Sequence, residues 1–144
     1  MRKRVFFLKK SVVVTVLLIS LLFVWGINAQ PVFYGYSEDI TLYSKRHGSD
    51  CNMISVFGIG YIFVFTKTGE SFSADKKNFD IDKFLKDFNA EKVFEEHTFD
   101  TDSKYFYSKD IKYCEILYGK KVNIQLSVKN DRVTVGTPVI YGSY

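Results

Sequence analysis

FDIDKFLKDFNA, residues 79–90, decides how the rest of the chain must fold. Ile81, Phe84, Leu85 and Phe88 recur at i, i+3, i+4 and i+7, which lines one side of a helix with apolar side chains. Asp80 is placed to accept a hydrogen bond from a free N–H of the first turn. Phe79 before that cap and Phe84 inside the helix make a hydrophobic staple. Asn89 suits the left-handed residue at which such a helix ends. A single amphipathic helix cannot bury its stripe alone, so it needs a sheet face to cover.

The flanking sequence supplies strands. In residues 122–128, Val122, Ile124, Leu126 and Val128 alternate with Asn123, Gln125 and Ser127, the pattern of a half-buried strand. Lys129-Asn130-Asp131 makes a tight turn into a strand over 132–140, with Pro138 marking an edge or a strand end. Residues 92–99 and 104–107 read as two strands around an Asp- and Ser-rich turn. Residues 111–118 fit a strand or a short helix. Residues 52–66, NMISVFGIGYIFVFT, are apolar on both alternating faces and read as a strand buried on both sides. Lys67-Thr68-Gly69 then turns the chain into a return strand over 70–74. The expected class is α+β: an antiparallel sheet with one amphipathic helix packed on a face.

An apolar helix is expected ahead of this domain. Arg2, Lys3, Arg4, Lys9 and Lys10 precede 19 uncharged residues, Ser11 to Ala29. Such a basic flank stays on the cytoplasmic side of a membrane. As a helix the run measures about 28 Å against a ~30 Å hydrocarbon core, so it is long enough to anchor. Its densest part, Val12 to Trp25, is shorter and is followed by Ile27-Asn28-Ala29, a small-residue cleavage site before Gln30. Both readings, cleaved signal peptide and retained anchor through residues 11–29, place the remainder outside the cytoplasm. The expected organisation is a leader or anchor over 1–29, a spacer over 30–39 and one domain over 40–144.

Removing the leader changes the charge. Five of the 20 Lys+Arg and none of the 16 Asp+Glu lie in residues 1–29, which leaves 15 against 16. A nucleic-acid partner calls for a basic face that neutralises phosphates. None is expected here.

Little in the sequence points to catalysis. There is no Gly-x-Ser-x-Gly elbow, phosphate loop or His-Glu-x-x-His. Glu95, Glu96, Asp100 and Asp102 cluster around a turn, the ordinary setting of a solvated face. His47, His97, Glu95, Cys51 and Cys114 include metal-ligand types, but His47-x₃-Cys51 and Glu95-x-His97 match no recognised ligand pair. No cofactor or metal is expected. Cys51 and Cys114 form an even pair in an oxidising compartment, which makes a disulfide one expectation and two free thiols the other. The bond would close a 64-residue loop, worth about 4 kcal/mol on the chain-entropy account. Tyr105, Phe106, Tyr107, Tyr113, Tyr118, Tyr141 and Tyr144 exceed what one core absorbs. Any surplus at the surface suits a protein partner or a carbohydrate.

The tail KKVNIQLSVKNDRVTVGTPVIYGSY, preceded by YFYSKDIKY, resembles the C-terminal half of the YwmB family. These are exported proteins of Gram-positive spore formers, labelled "TATA-box binding-like" for their fold. The resemblance runs from Phe79 to Tyr144, with VGTPVI (Val135 to Ile140) its most distinctive element. It implies export and a helix-on-sheet fold, and it carries over no catalytic residues and no DNA binding. The expected function is therefore an exported, non-enzymatic envelope module with a protein partner or a structural role. A small secreted hydrolase or cell-wall-modifying protein is the alternative. A pocket gathering His97, Glu95 and Asp100 would favour the hydrolase, and a shallow aromatic face the binding module.

Overall fold

The computed structural model describes residues 2–45, 51–64 and 66–141. It divides into two units, Met1–Gln30 and Pro31–Tyr144. The first contains helix α1 (Arg2–Ala29). Among the described residues no helix is long and apolar enough to cross a membrane.

The second unit is α+β. Its strands are β1 (Asp39–Lys45), β2 (Cys51–Phe57), β3 (Lys67–Asp75), β4 (Glu91–His97), β5 (Asp102–Tyr107), β6 (Glu115–Leu117), β7 (Lys120–Val122), β8 (Ile124–Lys129) and β9 (Arg132–Thr137). Helix α2 (Ile81–Asp87) lies between β3 and β4. Seven strands form one sheet in the order β2-β1-β3-β9-β8-β5-β4, and β6 pairs with β7 in a separate hairpin. Every neighbouring pair is antiparallel. Alternation across four such pairs leaves β3 and β4 parallel, so α2 joins them by crossing over β9, β8 and β5. That crossover sets the helix on the sheet.

The helix forms as its sequence requires. The Asp80 carboxylate accepts from the Lys83 N–H at 2.9 Å, and Asn89 takes the left-handed exit at φ 47°. Phe79 and Phe84 pack with ring centroids 5.5 Å apart. Phe84 is fully buried against Phe72 of β3, Phe106 of β5, Ile124 and Leu126 of β8, and Val133 and Val135 of β9. The turn into β9 also follows expectation, with Asn130 at φ 53° and Pro138 immediately after the strand.

Three expectations are corrected. Residues 52–66 are not one strand buried on both sides. The chain leaves β2 at Phe57, Gly58 adopts φ 59°, and a 3-10 helix follows over Gly58–Phe63. A left-handed glycine ends the extended run, so β2 is a short edge strand with Met53, Ile54 and Phe57 exposed. The strand after it, β3, pairs with β1 and β9 rather than returning along β2.

The second correction concerns residues 30–39, expected as a spacer. Pro31 and Phe33 are buried, and the Phe33 ring meets Phe72, Phe84 and Phe88 at 5.3, 5.6 and 5.9 Å between centroids. The Phe33 N–H donates to Glu70 Oε1 at 2.6 Å. Glu70 is itself buried and pairs with Lys67 at 3.1 Å. Residues 31–36 are thus a strap pinned to the core by one ring and one carboxylate.

The third concerns β8, which is not half-buried but buried on both faces. Gln125 and Ser127 on its polar side are both buried. The Ile140 N–H donates to Gln125 Oε1 at 2.9 Å, and the Ser127 and Ser103 hydroxyls meet at 2.7 Å. Asn123, just before β8, accepts from the Ser108 N–H at 2.7 Å and donates to the Ser108 carbonyl at 2.6 Å. Polar side chains survive burial here because each is hydrogen-bonded. Residues 111–118 split into an irregular stretch and β6, joined to β7 by a turn with Tyr118 at φ 50° and Gly119 at φ 75°.

Candidate binding surfaces

Residues 95–102 hold the acid–base groups singled out in the sequence. His97 closes β4 and Asp102 opens β5, a directly opposed pair, and His97 Nδ1 lies 2.7 Å from Asp102 Oδ1. The hydrogen bond to Asp102 raises the His97 pKa above its usual value, helped by Asp102 and Glu95 charge. The same bond holds the Asp102 carboxyl below the ordinary carboxylate range. Glu95 sits 3.9 Å from His97 Nε2 but is engaged by Lys92 at 2.6 Å, whose hydrogen bond lowers the Glu95 pKa. Asp100 turns away to Lys129 at 2.9 Å, and that contact lowers its pKa.

These groups lie at an exposed strand end, each answered by a counter-ion, and line neither of the two hollows described below. Glu95 and His97 come together, and Asp100 does not join them. His47 lies outside the described residues. No group of three or more His, Cys, Asp or Glu able to hold a metal occurs among the described residues.

Cys51 and Cys114 are both free thiols. Cys51 opens the edge strand β2, and its thiol points to the Ser44 carbonyl at 3.9 Å. Cys114 is exposed beside β6, with its thiol 3.7 Å from the Glu115 carbonyl. Each thiol is turned to a neighbouring backbone carbonyl.

The two edges of the large sheet differ in kind. Sheet edges present unpaired backbone N–H and C=O groups and are ordinarily blunted by charge, bulges or cover. Strand β4 has all of these: Glu91, Lys92, Glu95, Glu96 and His97 along its length, a register shift between Lys92 and Phe94, and Tyr118 of the β6–β7 hairpin against Phe94 at 5.7 Å. Strand β2, CNMISVF, carries no charge and no proline. Met53 is 56% and Phe57 68% exposed.

At the Phe57 end of β2 lies a hollow of about 570 Å³. Tyr34 and Tyr36 of the strap, Phe57 of β2 and Tyr61 of the 3-10 helix line it, with Glu38 the charged lining residue. Tyr34 and Tyr61 meet edge to face at 5.8 Å. A second hollow of about 600 Å³ lies on the sheet face opposite α2. Its floor is hydroxyl-rich, with Ser73 and Thr134 bonded at 2.9 Å, and Tyr43 and Tyr141 pack at 5.0 Å along one side.

The sequence directed attention to C-terminal aromatics, yet Tyr105 and Phe106 are buried and Tyr113 packs on the core. Tyr118 is 82% exposed, Tyr107 and Tyr141 are half-buried, and Tyr144 lies outside the described residues. The aromatic hollow instead gathers residues 34, 36, 57 and 61. The one local signal for it was the density of Tyr and Phe over 33–36 and 57–65. No family model, curated protein or solved structure matches this chain.

Proposed function

We propose that this chain is an exported, non-enzymatic module of the cell envelope that holds a protein partner along strand β2. The observation that carries this reading is the asymmetry of the sheet edges: β4 is charged, bulged and covered, while β2 is uncharged and exposes Met53, Ile54 and Phe57. An extended partner segment adding to β2 gains main-chain hydrogen bonds and buries those side chains. Export is supported by the basic flank and uncharged run of residues 1–29. On this reading the leader is released after Ala29. The hydrolase alternative draws no support from His97, Glu95 and Asp100, which are ion-paired at an exposed strand end outside both hollows.

The test is site-specific photo-crosslinking in cells that express the full-length chain. A photoreactive residue at Met53 or Phe57 should give a discrete protein adduct in the envelope fraction, and one at Glu91 of β4 should not. Equal labelling from both edges, or no adduct from β2, overturns the reading.

A further inference from the structure

The hollow beside Phe57 has a chemistry of its own. Its ≈570 Å³ lies within the range of small-molecule sites (~300–1,000 Å³). Tyr34, Phe57 and Tyr61 are aromatic residues of its lining, and among the described residues that lining includes Glu38 but no Lys, Arg or His. Aromatic faces are the negative ends of ring quadrupoles and attract cations. The edge-to-face arrangement of Tyr34 and Tyr61 sets two walls at 71° to each other, which forms a corner rather than a flat stack.

Tyr36 also touches the hollow, but its ring is packed against Phe72, Phe84 and Phe88. Its hydroxyl donates to Asp87 Oδ2 at 2.7 Å, and burial together with Asp87 keeps the phenol protonated, with its pKa pushed up to about 12. The same bond commits that hydroxyl elsewhere. Beyond the tyrosine hydroxyls, the polar side chains of the lining among the described residues are Ser37 and Glu38. A primary ammonium brings three N–H donors that all need acceptors. An alkylated ammonium brings charge and apolar surface with few donors or none.

The geometry points to a binding site for an alkylated ammonium group, held by Tyr34, Phe57 and Tyr61 with Glu38 as counter-charge. This rests on the hollow itself and not on the β2 reading, although Phe57 belongs to both surfaces.

The experiment is calorimetric titration of the full-length chain, in a maltoside detergent, with choline, phosphocholine and 3,3-dimethylbutan-1-ol, the uncharged carbon analogue of choline. Choline should bind saturably and about tenfold more tightly than the neutral analogue, the size of a cation–π contribution. Tyr61→Leu should remove about tenfold of that affinity. Glu38→Gln, an exposed substitution that leaves the core untouched, should weaken choline binding and its salt dependence without changing the binding of the alcohol. Phosphocholine binding as well as choline assigns the group to a phosphate-linked source, and rejection of phosphocholine assigns it to a free cation. Equal affinity for choline and the alcohol, or no saturable binding of choline, overturns the site.

Discussion

Glu70→Leu tests how the strap is held. The Glu70 side chain has no solvent exposure and Lys67 retains 11%, with their charged atoms 3.1 Å apart. Replacing Glu70 by an apolar residue takes this carboxylate from a nearly buried ammonium and removes the acceptor of the Phe33 N–H. Breaking a buried ion pair from one side costs about 3–5 kcal/mol, and orphaning a buried N–H about 1–3 kcal/mol. The two overlap, because both are relieved if the strap lifts and water enters. The expected loss is about 4 kcal/mol, a large part of the ~5–15 kcal/mol that holds a typical domain together. Glu70→Gln keeps an acceptor for Phe33 and should recover the hydrogen-bond share, about 1 kcal/mol.

Urea titration gives the losses. A double-mutant cycle with Lys67→Met isolates the coupling, which should reach at least about 1.5 kcal/mol for groups in direct contact. Hydrogen exchange should show residues 31–36 opening before the sheet does. A loss below about 1 kcal/mol for Glu70→Leu, or strict additivity with Lys67→Met, would refute the reasoning.

Four further outcomes are expected. Phe84→Ala, at the centre of the ring cluster, should cost about 3–5 kcal/mol, and a loss under about 1 kcal/mol in denaturant would show that its contacts do not matter. Gly69→Ala should destabilise by about 1–3 kcal/mol, since a Cβ there runs into the Thr137 carbonyl and lies 2.9 Å from Pro138 Cδ; an unchanged midpoint would contradict the packing of β3 against the end of β9. The His97–Asp102 pair should give a stability contribution confined to a pH window. His97 has a raised pKa, so its share is complete below the unfolded value and fades as pH climbs through the folded one. Asp102 has a lowered pKa, so its share is complete above the unfolded value and fades as pH falls through the folded one. His97→Gln should lower stability most between about pH 4 and pH 6.5, where both shares are complete, and least outside that window, and a loss that does not vary with pH would count against the pair. Finally, expression in a Gram-positive host should yield an extracytoplasmic species beginning at Gln30 that disappears with Ala29→Tyr. An intact chain resisting carbonate extraction would establish an anchor, and a soluble cytoplasmic chain would end the export reading.

The helix could be read from residues 79–90 because everything that makes it is local. Its cap, staple, stripe and left-handed exit all lie within 11 residues, and helical hydrogen bonds close over four. The Asn130 turn and the alternation of Ile124, Leu126 and Val128 are legible for the same reason. Residues 52–66 show where this fails. A continuous apolar run fits a central strand, but whether neighbours arrive on both sides depends on partners far along the chain. Gly58 ended the strand early, and β3 took the far side of β1, which left β2 at the edge. On the polar face of β8, too, the partners come from afar: Gln125 accepts from the Ile140 N–H and Ser127 meets Ser103. The candidate cation site is the most distant product of tertiary structure. Tyr34 and Tyr61 are brought together only because Phe33 anchors the strap in the core while β2 pairs with β1. Sequence alone specified the elements that close on themselves. The surfaces available to a partner or a ligand were set by long-range pairing, whose hydrogen bonds no local pattern encodes.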